Sequence, residues 1–168
     1  GTFIPGFLFA YAITSIDSSI VSILNSFTPF NTLISGALFF GFAFRKQQLY
    51  GILIGLVGTL ILIVQGVDLN PNQNYWFTPL VLTGSIGYAI SANMIKKYLY
   101  DLDALAITTG NFLLLLLPAI VVLAFTGFFT DFVYDDLGLQ SLGYLAILSV
   151  VGTSIAKTIY NKLVQISS

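Results

Sequence analysis

Ile16-Asp17-Ser18-Ser19-Ile20-Val21-Ser22-Ile23-Leu24-Asn25-Ser26-Phe27-Thr28-Pro29 opens a stretch that runs on, almost without a polar break after Leu33, to Phe44. From Ser18 onward it holds no acid and no base. At 1.5 Å per residue it is long enough as a helix to cross a hydrocarbon core about 30 Å thick. The stretch therefore predicts a membrane span. Ser18, Ser22, Asn25, Ser26 and Pro29 recur at helical spacing and share one side of it, and Pro29 removes a backbone hydrogen bond from the turn before it. In lipid the freed carbonyl and the Asn25 amide need partners inside protein or a water-filled cavity, so this face is expected to point inward. Two readings stay open for it. The face is the wall of a solute cavity, or it is polar and small-residue glue between helices.

Composition extends the membrane reading to the whole chain. Of its 168 residues 57% are hydrophobic and 8% charged, with mean hydropathy +0.93, against roughly 25% charged residues in soluble domains. A net charge of −1 leaves no basic footprint for nucleic acid. With no Cys, no His and no Glu, thiolate and imidazole ligands and every nucleophile–His pairing are absent, and the seven Asp lie outside the apolar runs. No metal site, no cofactor and no enzymatic activity are expected.

Around the central stretch the chain reads as a polytopic all-α bundle. Residues 1–13 look like the second half of a span, so a fragment lacking its N-terminal part is expected. After Arg45-Lys46-Gln47-Gln48 comes a span over 49–67, whose Gly51, Gly55 and Gly58 predict close helix packing. Asn70-Pro71-Asn72 marks a turn before the span 76–95, which begins at an interfacial Trp76 and ends at Lys96-Lys97. Spans over 104–129, with Pro118 inside, and 142–164, interrupted by Lys157, Asn161 and Lys162, follow. Placing the Arg45-Lys46 loop in the cytoplasm puts Lys96, Lys97 and Lys162 there as well, while Asp17, Asp68, Asp131, Asp135 and Asp136 face outside. Every loop then obeys the positive-inside rule. Gly1-Thr2-Phe3-Ile4 also matches Gly152-Thr153-Ser154-Ile155, each inside a span, a weak repeat with the two copies oppositely oriented.

The pattern Ser18-Ser19-x-x-x-Ile23-Leu24-Asn25-Ser26-x-Thr28-Pro29, followed by Gly51-x-x-x-Gly55-x-x-Gly58, resembles the fourth and fifth helices of EamA-type carriers of the drug/metabolite transporter superfamily. Gly152-Thr153 with Tyr160 resembles the eighth. The resemblance implies a ten-helix transporter of two inverted five-helix halves, of which this chain holds the end of helix three through helix eight. Residues 1–67 then belong to the first repeat and 76–168 to the second. It implies a multi-pass protein of the inner or plasma membrane that carries small metabolites, such as amino-acid-like or drug-like solutes, by alternating access, with export as the expected direction. Its partners are a small-molecule substrate and the bilayer, and a homodimer is left open. The family often carries a Glu after the Gly that ends helix four, whereas Phe42 follows Gly41 here.

By position, the resemblance brings Ser22, Asn25, Ser26, Pro29 and Asn31 to the substrate cavity, and Tyr88 and Asn93 join them as candidates. Hydroxyls and amides suit neutral or zwitterionic solutes, because they donate and accept without imposing a charge. For Asn93, as for Asn111, a structural bond to a neighbouring helix is the commoner role. Lys157 lies deep in its run and either binds a substrate carboxylate or snorkels to the headgroups. A non-transporting structural or signalling bundle is the rival to the carrier.

Overall fold

The computed structural model describes residues 2–43, 45–69, 74–133 and 135–166, with side chains for all of these except 66–69 and 131. The turn at Asn70-Pro71-Asn72 and the outward placement of Asp68 and Asp131 lie outside the described residues. The chain forms two compact units, Gly1–Lys97 and Tyr98–Ser168.

The first unit contains α1 (Phe3–Ala12), α2 (Ser18–Asn25), α3 (Thr28–Phe40), α4 (Lys46–Leu69), a 3₁₀ turn (Tyr75–Phe77) and α5 (Thr78–Tyr98). The second contains α6 (Ala104–Phe125), a short α7 (Phe128–Asp131) and a long helix, Asp136–Ile166, made of α8 (Asp136–Ile147), a π-helical segment (Leu148–Ile155) and α9 (Ala156–Ile166). Among the described residues three helices are long and apolar enough to cross a membrane: Lys46–Gln65 in α4, α6, and Asp136–Ile166. At 21 residues α5 has the length, but Thr83, Ser85, Ser91, Asn93, Lys96 and Lys97 dilute its apolar character. Despite Pro118, α6 is one helix, and it ends at Phe125 rather than at Phe129.

The expected single span from Ser18 to Phe44 is two helices. Pro29 stands in the first turn of α3, where its missing N–H costs little but ends the helix before it. The Ser26 and Phe27 N–H groups tighten that end, bonding to Ile23 O at 3.0 Å and Leu24 O at 3.1 Å. Neither α2, with 8 residues, nor α3, with 13, crosses the bilayer alone. Gly41, at φ 73°, stops α3 in the left-handed conformation that glycine adopts without strain. Lys97 Nζ donates to Phe40 O at 2.8 Å at the same end, a cation on the negative pole of the helix. Lys96 lies 5.4 Å from the centre of the Phe42 ring. Lys96 and Lys97 thus close the end of α3.

Asp17 caps α2, accepting from Ser19 N–H at 2.8 Å and from the Ser19 hydroxyl. These two donors, the hydroxyl first, hold its carboxyl below the ordinary carboxylate range. A carboxyl held low stabilises the fold above its ordinary titration range, and that contribution is lost as pH falls through the lowered value. Ser19→Ala, which keeps the backbone donor and removes the hydroxyl, is expected to raise the Asp17 pKa. An NMR titration of the Asp17 carboxyl carbon reads this directly, and an unmoved pKa would rule the hydroxyl out as the main cause.

The core of the first unit is Ala12, Ile16, Ile20, Val21, Leu24 and Val81, with Phe9, Ile63, Tyr75, Phe77 and Leu80 packed around it. The close approach of backbones occurs between α1 and α5, at glycines that no four-residue spacing marks. A Cβ on Gly84 would stand 2.7 Å from Phe9 Cε2, and one on Gly87 would stand 2.8 Å from Pro5 Cγ. At Gly51, Gly55 and Gly58 an added Cβ meets nothing within 4 Å. The expected packing role of those three is therefore corrected within this unit: no neighbouring helix presses on them.

Candidate functional site

Breaking the polar helix has a local consequence. Ser26, Phe27 and Pro29 at the break face Gly51, Gly55 and Thr59 of α4 across a cavity of about 220 Å³. Glycine at 51 and 55 leaves that space open, because any larger side chain on this α4 face projects into it. No charged residue lines it. The two hydroxyls that line it, Ser26 and Thr59, and those of Ser22 and Thr28 on the adjoining turns already have local partners. Ser22 Oγ donates to Ser18 O at 2.8 Å, Ser26 Oγ to Ser22 O at 3.4 Å, Thr28 Oγ1 to Asn25 Oδ1 at 2.9 Å, and Thr59 Oγ1 to Gly55 O at 2.9 Å. Such back-bonds satisfy each hydroxyl proton and leave oxygen lone pairs to accept from a solute.

The predicted site residues separate into groups. Ser22, Asn25 and Ser26 are exposed, while Ile20, Val21 and Leu24 on the other side of α2 are buried. Within this unit the polar face of α2 is turned away from the apolar core. The core that α2 meets is apolar, and back-bonding to its own carbonyls frees the face from needing a protein partner. Ser26 and Pro29 line the cavity.

Asn31 and Asn93 instead tie α3 to α5. Asn31 Nδ2 donates to Ser85 Oγ at 2.7 Å, and the buried Asn93 Nδ2 donates to Thr32 O at 2.8 Å and Ser35 Oγ at 2.9 Å. Their donors are committed to holding helices together, the commoner role expected for Asn93. Tyr88 is half-buried, with its ring 5.7 Å from that of Phe9. Lys157, in the other unit, is half-buried at the start of α9. Among the described residues no group of three or more Asp, Glu, His or Cys side chains comes together as a metal site.

The second unit holds a polar cluster that the sequence showed only as an interruption of a span. Asn161 is fully buried, and its Nδ2 donates to Thr108 Oγ1 at 3.0 Å. Thr158 Oγ1 donates to Thr108 Oγ1 at 3.1 Å and to Ser154 O at 2.9 Å. Asn161 Oδ1 is buried with no hydrogen-bond partner among the described residues. Beside this cluster lies a mostly apolar cavity of about 510 Å³ whose hydroxyls come from Thr108, Thr109, Ser154 and Thr158. The 3-residue spacing of Thr158 and Asn161 puts them on one helix face, and that signal was available in the sequence.

Long apolar helices, with a polar helix broken at Pro29, define a polytopic helical membrane protein. Residues 1–64 match the model of the EamA-like transporter family, a family of the drug/metabolite transporter superfamily, and the chain is similar to that family through this segment. The chain is also similar to Solute carrier family 35 member F5 of Bos taurus, 30% identical over 143 residues, covering 80% of this chain and 27% of the relative. It spans about a quarter of the length of that relative. No solved structure matches it.

Proposed function

We propose that this chain forms part of a membrane carrier for small neutral or zwitterionic solutes, working by alternating access, with export as the net direction and the inner or plasma membrane as its site. The observation that carries the reading is the cavity at the α2–α3 break, where Ser26 and Pro29 meet a glycine-lined α4 with no charged lining residue. Uncharged donors and acceptors can exchange solvation with a solute without the cost of desolvating an ion. Match to a transporter family over residues 1–64 supports the same reading. Amides committed to helix pairing at Asn31 and Asn93 favour the rival, a non-transporting structural bundle.

The test separates the two. Single cysteines at Ser22, Asn25 and Ser26 of the full-length protein are labelled with a membrane-impermeant thiol reagent, with and without a panel of amino acids and drug-like cations. Reaction that a solute slows is expected from a carrier. Gly55→Phe, which fills the cavity, is expected to cut uptake into vesicles by about tenfold or more at unchanged expression, the equivalent of about 1.4 kcal/mol. Three unreactive cysteines together with no solute uptake by the parent protein would leave the structural bundle standing, and unchanged uptake in Gly55→Phe would place the solute path elsewhere.

A further inference from the structure

The helix Asp136–Ile166 is wound too wide for one stretch of its length. Over Leu148–Ile155 it is π-helical, with bonds that reach five residues back instead of four. The sequence explains why this stretch yields. Val150, Val151, Thr153 and Ile155 are β-branched and stiff at χ1, and Gly152 in their midst has the lowest α propensity of any residue but Pro.

Two hydroxyls hold the wide form. Thr153 Oγ1 donates to Leu148 O at 3.2 Å and Ser154 Oγ to Ser149 O at 3.0 Å, each five residues back. The serines and threonines of the α-helices bond three or four residues back, as Thr108 does to Ala104 O and Ser141 to Leu137 O. A Cβ on Gly152 would stand 2.9 Å from the terminal Leu148 Cδ1, which a change of the Leu148 rotamer relieves, so the main effect of glycine here is its low α propensity.

The two flanks of the segment are held unequally. Below it, α9 is fastened within the unit through Thr158 and Asn161 to Thr108, and through Gln165 Nε2 to Leu99 O and Leu102 O, both at 2.8 Å. Above it, α8 is exposed along nearly its whole length and has no buried residue. Ser154 and Ile155 of the π segment, and Thr158 and Ile159 of α9, form one wall of the 510 Å³ cavity.

We propose that residues 148–155 are a register switch, in which the π turn converts to α while α9 stays fixed on α6. Releasing one residue from the wide turn rotates α8 by about 100° and shifts it by about 1.5 Å along the axis. The Ser154 hydroxyl then exchanges Ser149 O for Val150 O, and a different set of side chains from the segment faces the cavity. The switch thereby resets the cavity wall from within a single helix.

Distances between spin labels in the full-length protein in lipid nanodiscs test this. One pair joins Ala106 on α6 to Ser141 on α8, and a control pair joins Val121 on α6 to Leu163 on α9. Two distance populations are expected for the first pair and one for the control. Gly152→Ala is expected to move the first pair's populations toward the α form by about fivefold, the ratio set at 25 °C by the Gly-to-Ala difference in helix propensity. Thr153→Val with Ser154→Ala is expected to move them the same way without changing the glycine. A single distance for the first pair, unaltered in both variants, overturns the switch. A split in the control pair as well overturns it too, because the whole helix then moves as one body.

Discussion

Gly84→Leu is expected to destabilise the first unit by about 2–3 kcal/mol, the upper part of the range for forcing extra volume into a packed interior. The first atom added is already in conflict. A Cβ at residue 84 stands 2.7 and 2.9 Å from two ring carbons of Phe9 and 3.7 Å from the Pro5 Cα. The Phe9 ring has little room to swing, because it packs 5.7 Å from Tyr88 and borders the core built on Ala12, Ile16 and Val81. Relief therefore requires α1 to lift from α5. Gly55→Ala provides the contrast: its Cβ meets nothing within 4 Å, so the helix gains up to about 1 kcal/mol from propensity with no opposing clash. Unfolding of the two variants in mixed detergent, measured against the parent, reads the difference. Phe9→Ala in the Gly84→Leu background should recover part of the loss, since two residues in contact couple in a double-mutant cycle. If Gly84→Leu unfolds like the parent, α1 and α5 do not approach as closely as described.

Glycine shows how far the sequence could be read. The rule that small residues at four-residue spacing permit close helix packing selected Gly51, Gly55 and Gly58, and the structure places the tight contacts at Gly84 and Gly87. A spacing rule sees one helix, whereas close approach depends on which neighbour arrives. The neighbour of Gly84 is set by how α1 folds against α5, a contact about 75 residues apart in the chain that no local pattern encodes. Helical character, by contrast, was legible from local content alone, because the apolar runs lie in short windows.

The candidate site was legible in part for the same reason. Ser26 and Pro29 reached it because the disruption by proline is local, and Pro29 ended one helix and started another instead of bending a single one. The polar face of α2 needs no hydroxyl partner from another helix. Ser22 and Ser26 found theirs one turn back. Asn161 was passed over because its burial depends on Thr108, which lies 53 positions earlier in the chain.

Asn93→Asp is expected to be the most damaging single-atom change in the chain, at about 3–5 kcal/mol near neutral pH, the cost of leaving a buried charge without a partner. The side chain is 4% exposed, and its Nδ2 serves two acceptors, Thr32 O and Ser35 Oγ. Ser35 cannot reverse its role freely, because its own proton is given to Asn31 O at 2.6 Å. A carboxylate here offers only acceptors to a carbonyl 2.8 Å away, so the group takes up a proton and its folded-state pKa rises. A carboxyl whose pKa is raised on folding costs least below its unfolded value of about 4, and the penalty grows as pH rises above that. Asn93→Leu removes both donors without adding charge and is expected to cost about 1–2 kcal/mol at any pH. The two variants should therefore unfold alike near pH 4 and diverge toward pH 7, as followed by unfolding in detergent at a series of pH values. Parallel curves for the two would mean that residue 93 meets water. The divergence matters beyond stability, because α3 carries Pro29 at its start and is held to α5 by Asn31 and Asn93. Loosening that hold frees the helix that forms one side of the cavity, so any loss of transport in Asn93→Asp should follow the same pH dependence as its loss of stability.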